Sequence, residues 1–109
     1  MAQKHANAGE RIDVRPYGAA LTQHPTATLA KTNLLEIIRL SLPAGKEIPT
    51  HKVDGPIVVQ CLEGKVEFTA DGQLIALESG ELLHLAPASP HAVKALENAS
   101  VLVTIFFGK

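Results

Sequence analysis

The chain has 109 residues, enough for one domain with a single core and too few for a second domain. Its 10 Lys and Arg nearly balance its 11 Asp and Glu, so we expect neither nucleic acid nor an anionic membrane as a partner. The single cysteine, Cys61, excludes an internal disulfide and fits a reducing compartment. The opening residues lack the apolar run of a signal peptide, and no stretch approaches the roughly 20 apolar residues of a membrane span. We therefore predict a cytoplasmic protein.

The first ten residues carry no pattern that would pack, which predicts a flexible tail over 1–10 and one domain over 11–109. Beyond residue 10, short apolar or alternating segments are separated by turns rich in Gly, Pro, Asp and Asn. The segments cover 11–15, 27–31, 34–42, 57–62, 66–70, 73–77, 82–86, 91–95 and 100–107. Such regular spacing predicts an all-β sandwich or barrel.

Two segments show this pattern in detail. Asp71-Gly72 lies between two alternating runs and predicts a tight hairpin, because a type I′ turn needs φ > 0 at both central residues. Residues 34–42 could form a helix on propensity alone. The alternation of Ile38, Leu40 and Leu42, and the Pro43 that follows, favour a strand.

Two sequence motifs follow in order. The stretch 45–64 resembles the first cupin motif, in which Gly is followed by His-x-His, by Glu and by a second Gly. Gly45, His51 and Gly64 occupy matching positions. Val53 stands in place of the second His, and Ile57 in place of the Glu.

The stretch 80–95 resembles the second cupin motif, with Gly80 and His91 in matching positions. Ala86, Ala88 and Ala95 replace the Pro, Gly and Asn of that motif. The resemblance covers 34–107 and implies the double-stranded β-helix of cupins, a jelly-roll barrel with a cavity at one mouth. It implies no single reaction, because cupins include dioxygenases, decarboxylases, isomerases, epimerases, storage proteins and ligand-sensing domains.

Strand alternation predicts which side chains point into the barrel, since residues of the same parity share a face. The predicted ligand pocket consists of His51, Val53, Ile57, Val59 and Cys61, joined by His91 from the second motif. We expect the Cys61 thiol to stay protonated among apolar neighbours. Such a pocket suits a small, partly apolar ligand with one anionic or hydrogen-bonding group.

Most of the metal ligands that the resemblance implies are absent. His51 and His91 could together hold a divalent metal such as Zn, Ni, Fe, Mn or Cu, with His84 as a weaker third candidate. Asp54 and Gln60 are poorer substitutes, because each has the outward parity. Alternatively, both histidines are simple pocket residues that donate a hydrogen bond to a backbone carbonyl or to a ligand.

Three functions remain open at this stage, so the sequence does not decide whether the chain is an enzyme. The first is small-molecule binding with an incomplete metal site. The second is a divalent-metal-dependent enzyme, a dioxygenase or isomerase, that uses His51, His91 and a third ligand. The third is a metal-free isomerase or epimerase with one of these histidines as general base. The resemblance to small cupins also implies a homodimer, in which the N-terminal strand near Ile12 and Val14 and an exposed sheet face pair with a second copy.

Overall fold

The computed structural model describes residues 5–107 and consists almost entirely of β-strands. One short 3₁₀ helix, Gly18–Gln23, precedes the first strand. The strands of the described residues are β1 (Ala27–Lys31), β2 (Leu35–Leu42), β3 (Glu47–His51), β4 (Ile57–Glu63), β5 (Lys65–Ala70), β6 (Gln73–Glu78), β7 (Leu82–Leu85), β8 (His91–Ala95) and β9 (Ala99–Phe106).

The strands form two antiparallel sheets that face each other. Sheet A has the order β1-β2-β9-β4-β7, and sheet B has the order β3-β8-β5-β6. The pairing of β2 and β4 with the last strand, β9, brings distant parts of the chain side by side. Non-sequential pairing in two facing sheets is the jelly-roll arrangement, which confirms the predicted all-β class.

The core lies between the two sheets and is built mainly from small and branched aliphatic side chains, together with Phe68. Val59, Val66, Phe68 and Val101 are each 2% exposed or less. Along β4, and along β9 from Val101 to Thr104, buried residues alternate with more exposed ones, so each strand sends one face inward. The inward parity predicted for β4 is therefore correct.

The predicted hairpin is present between β5 and β6. Asp71 and Gly72 have φ values of 50° and 79°, as a type I′ turn requires, and the flanking residues pair in register from Ala70 with Gln73 onward. The segment at 34–42 is the strand β2, as its alternation indicated.

One predicted segment differs from the structure. Residues 11–15 form no strand, because within residues 5–107 their backbone has no neighbouring strand to pair with. Closer to the N-terminus, the Ala6 amide donates to the Leu29 carbonyl at 2.8 Å, so the stretch 5–10 touches β1. Residues 1–4 of the predicted tail lie outside the described residues.

Gly64 shows why a motif glycine matters for the fold. Its φ is +76°, and a Cβ placed there would lie 2.1 Å from the Asn98 carbonyl oxygen and 2.8 Å from the Ala99 Cα. Any side chain would push the β4–β5 turn away from the start of β9. Gly64 therefore allows the turn between β4 and β5 to lie directly against the start of β9.

Candidate ligand site at the barrel mouth

One end of the barrel gathers both histidines of the two motifs. β3 ends there at His51, and β8 begins there at His91, while β4 begins at Ile57. The connection 52–56 crosses this end, and its Val53 carbonyl accepts a hydrogen bond from the Ala88 amide at 2.9 Å. The two loops that follow His51 and precede His91 are thus tied together, and we call this end the mouth.

His51 and His91 are direct neighbours on paired strands rather than partners across the barrel. Their ring centroids are 4.3 Å apart with an angle of 61° between the planes. His91 is 6% exposed, whereas His51 is exposed. The pair therefore has a buried member on the inner face and an accessible member at the rim.

The hydrogen bonds of the two rings define their tautomers. His51 Nδ1 lies 3.0 Å from the Pro49 carbonyl oxygen, and His91 Nδ1 lies 2.9 Å from the Ser89 carbonyl oxygen. A carbonyl oxygen only accepts, so each Nδ1 carries the proton and donates it. In the neutral rings both Nε2 atoms then keep a lone pair that can accept a proton or a metal ion.

A groove of about 690 Å³ lies at the mouth beside β9. It combines apolar side chains with charged ones, and its lining is Glu36, Lys52, Val53, Asp54, Gly55, Ile105 and Phe107. Ile105 belongs to the inner face and packs against the core. Glu36 is held in place by the Thr28 hydroxyl, which donates to its carboxylate at 2.9 Å.

The remaining residues of the predicted pocket lie deeper in the barrel. Ile57, Val59 and Cys61 are 3%, 1% and 0% exposed and belong to the core cluster. Of the predicted set, Val53 lines the groove and His51 and His91 form the adjacent pair. A role for Ile57, Val59 and Cys61 in ligand binding stays a prediction.

Cys61 is surrounded by main chain and aliphatic groups. Its Sγ lies 3.4 Å from the Glu63 carbonyl oxygen and 3.6 Å from that of Gly64, and the thiol donates to both. Burial raises the pKa of the Cys61 thiol above its ordinary value of 9.0, so the thiol stays protonated at neutral pH. A protonated, buried thiol is a poor nucleophile.

The structure separates His84 from the histidine pair. His84 pairs with Val58 on β4, and the next residue, Leu85, is the one that enters the core. His84 is exposed on the opposite face of sheet A and therefore points away from His51 and His91. Within residues 5–107, no three His, Cys, Asp or Glu side chains are grouped to hold a metal ion. The described residues thus supply two nitrogen ligands and do not fit the three-ligand facial set.

Sequence reasoning missed a buried polar cluster on the outer face of sheet A. Arg39 is 2% exposed, and its Nη2 donates to Glu63 at 3.1 Å, to Ser100 at 3.0 Å and to the Arg15 carbonyl at 2.9 Å. The guanidinium carbon also lies 3.7 Å from the ring centroid of Tyr17. The signal was available, because Arg39 lies between the apolar residues Ile38 and Leu40 in the middle of β2.

Glu63 completes this cluster and binds the chain that precedes the 3₁₀ helix. It accepts the backbone amides of Tyr17 and Gly18 at 2.9 and 3.0 Å, and the Ser100 hydroxyl at 2.7 Å. Burial raises the pKa of Glu63, but the hydrogen bonds from Ser100, Tyr17, Gly18 and Arg39 outweigh it and hold the pKa below the ordinary 4.5. The cluster is a clamp between the N-terminal segment and sheet A, and Glu63 joins it to the end of the first motif, directly before Gly64.

Comparison with known sequences identifies the family. A sequence model of the cupin domain matches residues 38–107, which include both motifs, part of β2 and all of β3 to β9. The chain belongs to the cupin family. No curated protein matches this cupin in sequence.

Solved structures resemble this cupin over nearly its whole length. A conserved protein of unknown function from Streptococcus pyogenes is 26% identical with a TM-score of 0.77, covering 100% of this chain and 99% of that one. An RmlC-like cupin from Desulfovibrio desulfuricans is 27% identical with a TM-score of 0.70, covering 97% and 96%. A cupin superfamily protein from Desulfitobacterium hafniense is 18% identical with a TM-score of 0.73, covering 89% and 98%.

These similarities support the small RmlC-like cupin barrel and leave its role unassigned. Among the described residues, no helix has the length and apolar character needed to cross a membrane.

Proposed function

We propose that this cupin binds a small, partly apolar molecule in the groove at the barrel mouth. The observation that carries the proposal is the pairing of apolar and charged side chains within one groove of about 690 Å³. Ligand pockets in proteins have this size, and they combine an apolar lining with a few polar groups that orient the ligand.

The groove offers different contacts to different parts of a ligand. Val53, Ile105 and Phe107 give an apolar surface for a hydrocarbon body. Lys52 can pair with one anionic group, and Glu36, already oriented by Thr28, can accept a hydrogen bond from a hydroxyl or amine. We therefore expect small carboxylic acids with a short aliphatic or aromatic body as the best probes.

Binding can be mapped by titrating a panel of such acids into ¹⁵N-labelled protein and following amide shifts. Saturable shifts at residues 52–55 and 105–107 are expected. In Val53→Asp a carboxylate enters the apolar surface and repels the anionic group, so affinity should fall by about 10-fold or more.

The matched control is Leu96→Asp, which adds the same carboxylate at an exposed apolar residue just past the end of β8 that lies opposite the mouth. Its affinity should equal that of the wild-type protein. Shifts that map to another surface, or equal loss in both variants, would contradict the proposed groove.

A metal-dependent enzyme that uses His51, His91 and a third ligand is the second candidate. The observation in its favour is that both Nδ1 atoms donate to carbonyls, which leaves the two Nε2 lone pairs available on adjacent rings. A bound divalent metal would supply Lewis acidity. The third ligand is the part that the described residues do not provide.

Calorimetric titration of untagged protein with Zn²⁺ and Ni²⁺ distinguishes the two candidates. A stoichiometric site lost in His51→Ala and kept in His84→Ala would favour metal dependence with a ligand other than His84. No saturable binding by the wild-type protein would remove this second candidate and leave the groove proposal untouched.

A further inference from the structure

Glu36 places a carboxylate on the core-facing side of sheet A, at the mouth. It lies in the same row of β2 as Ile38 and Leu40, which pack against the core. Its partner on β9 is Ile105, and paired residues of an antiparallel sheet share a face. The Glu36 side chain is half-buried and lines the groove. A charged group therefore ends a row of apolar, inward-facing side chains.

The contacts of Glu36 leave its charge uncompensated. No ion pair of residues 5–107 involves it. Its Oε2 accepts the Thr28 hydroxyl, whereas its Oε1 accepts no hydrogen bond from the described part of the chain. Glu63 is also half-buried, but it accepts four hydrogen bonds, one of them from the Arg39 guanidinium. A half-buried carboxylate without such partners gains most from a positively charged donor that a ligand brings.

The charges around the groove favour a ligand that has both signs. The charged side chains of its lining are Glu36, Asp54 and Lys52. With two carboxylates and one lysine, the lining has a net negative charge. A purely anionic ligand would be attracted by Lys52 and repelled by both carboxylates. An ammonium group beside the anionic group of the ligand turns this repulsion into attraction.

We propose that the ligand of the groove is a free α-amino acid with an apolar side chain. The ammonium group donates to Glu36, the carboxylate binds Lys52, and the side chain packs on Val53 and Ile105. A neutral hydroxyl could also donate to Glu36, but it would leave the charge of the carboxylate uncompensated. This inference rests on the proposed function of the groove and names its ligand class.

Ligands of similar size separate the contributions of the two charges. L-leucine has both charges, 4-methylpentanoate lacks the amine, and 2-hydroxy-4-methylpentanoate has a neutral hydroxyl in its place. L-phenylalanine and 3-phenylpropanoate form a second series. Titration into ¹⁵N-labelled protein should give saturable shifts at residues 52–55 and 105–107. In at least one series the amino acid should bind about 10-fold or more tightly than its analogues, as expected for a hydrogen bond between charged groups.

Glu36→Gln tests whether this residue recognises the ammonium group. The amide keeps an oxygen for the Thr28 hydroxyl, so the change removes the charge and little else. The preferred amino acid should bind about 10-fold more weakly to the variant, and its deaminated analogue at least as tightly as to the wild-type protein. Binding of the analogue also shows that the variant has kept its groove.

The matched control is Glu97→Gln, which removes an exposed carboxylate between β8 and β9, opposite the mouth. It should keep the full preference for the amino acid. Analogues that bind the groove as tightly as the amino acid in both series would overturn this inference and leave the proposed groove intact. So would a preference that Glu36→Gln keeps or that Glu97→Gln loses. Absence of saturable shifts with every probe would overturn both proposals.

Discussion

Ala88 is the residue at which departure from a cupin motif has the clearest cost. It occupies the position where the second motif has Gly, and its φ of 60° lies in the left-handed region. A residue with a Cβ is strained there by about 1–2 kcal/mol, whereas glycine is not. The hydrogen bond that the Ala88 amide donates to the Val53 carbonyl offsets this strain. The same bond ties together the two loops at the mouth.

Ala88→Gly is therefore expected to stabilise the protein. The gain should be about 0.5–1 kcal/mol, since relief of strain exceeds the added entropy of the unfolded chain. Urea unfolding monitored by far-UV circular dichroism measures it. Ala92→Gly, at the second residue of β8, serves as the control and should destabilise. A loss of stability in Ala88→Gly would show that the left-handed conformation is not strained.

At the scale of elements, the clamp around Arg39 and Glu63 joins the N-terminal segment to sheet A. The side chains of this ion pair are only 2% and 12% exposed. The second ion pair of the N-terminal segment, between Arg15 and Asp13, is 86% and 63% exposed. Burial makes the two pairs energetically different, because removal of one partner from a buried pair leaves the other charge uncompensated.

Arg39→Ala should lower the free energy of unfolding by about 3–5 kcal/mol. Arg15→Ala should change it by less than about 1 kcal/mol, because its exposed pair is screened and the Arg15 carbonyl that Arg39 binds is main chain. Chemical denaturation of both variants, with proteolysis rates at the N-terminal segment, tests the difference. Similar losses in the two variants would show that burial of the clamp has no energetic effect.

At the scale of the whole molecule, Glu63 connects stability to pH. Its pKa in the folded protein lies below the ordinary value of 4.5. The stabilisation is therefore fully present above about pH 4.5 and is lost as the pH falls through the lower folded-state value. Asp13 also has a lowered pKa, caused chiefly by hydrogen bonds from the Arg15 backbone and side chain, but its exposure leaves Glu63 as the main contributor.

Stability measured by urea unfolding should be level near neutral pH and should decline below about pH 4.5. Glu63→Gln should be less stable at pH 7 and should show a shallower decline in acid, because it has no carboxylate to protonate. An unchanged acid slope in this variant would assign the pH dependence to other carboxyl groups.

Much of the fold could be predicted from local sequence patterns. Alternation along residues 57–61 and the Asp71-Gly72 turn indicate strands and a hairpin because each depends on neighbouring residues alone. The motif spacing also indicates the family from local sequence. Gly64, for example, marks a turn that has no room for a Cβ. The sequence did not predict the β3 strand, nor that 11–15 pairs with no strand of the described residues. Strand pairing depends on partners that are distant in sequence.

The sequence by itself determined the all-β class, the inward face of β4 and the likeness of both motifs to those of cupins. Only the tertiary structure decided that His51 and His91 are adjacent while His84 lies on the other face of its sheet. It also brought Arg39, Glu63 and Ser100 together on the outer face of sheet A. The reason is that local pattern records how each residue relates to its own strand, whereas a site depends on the order in which the strands are paired.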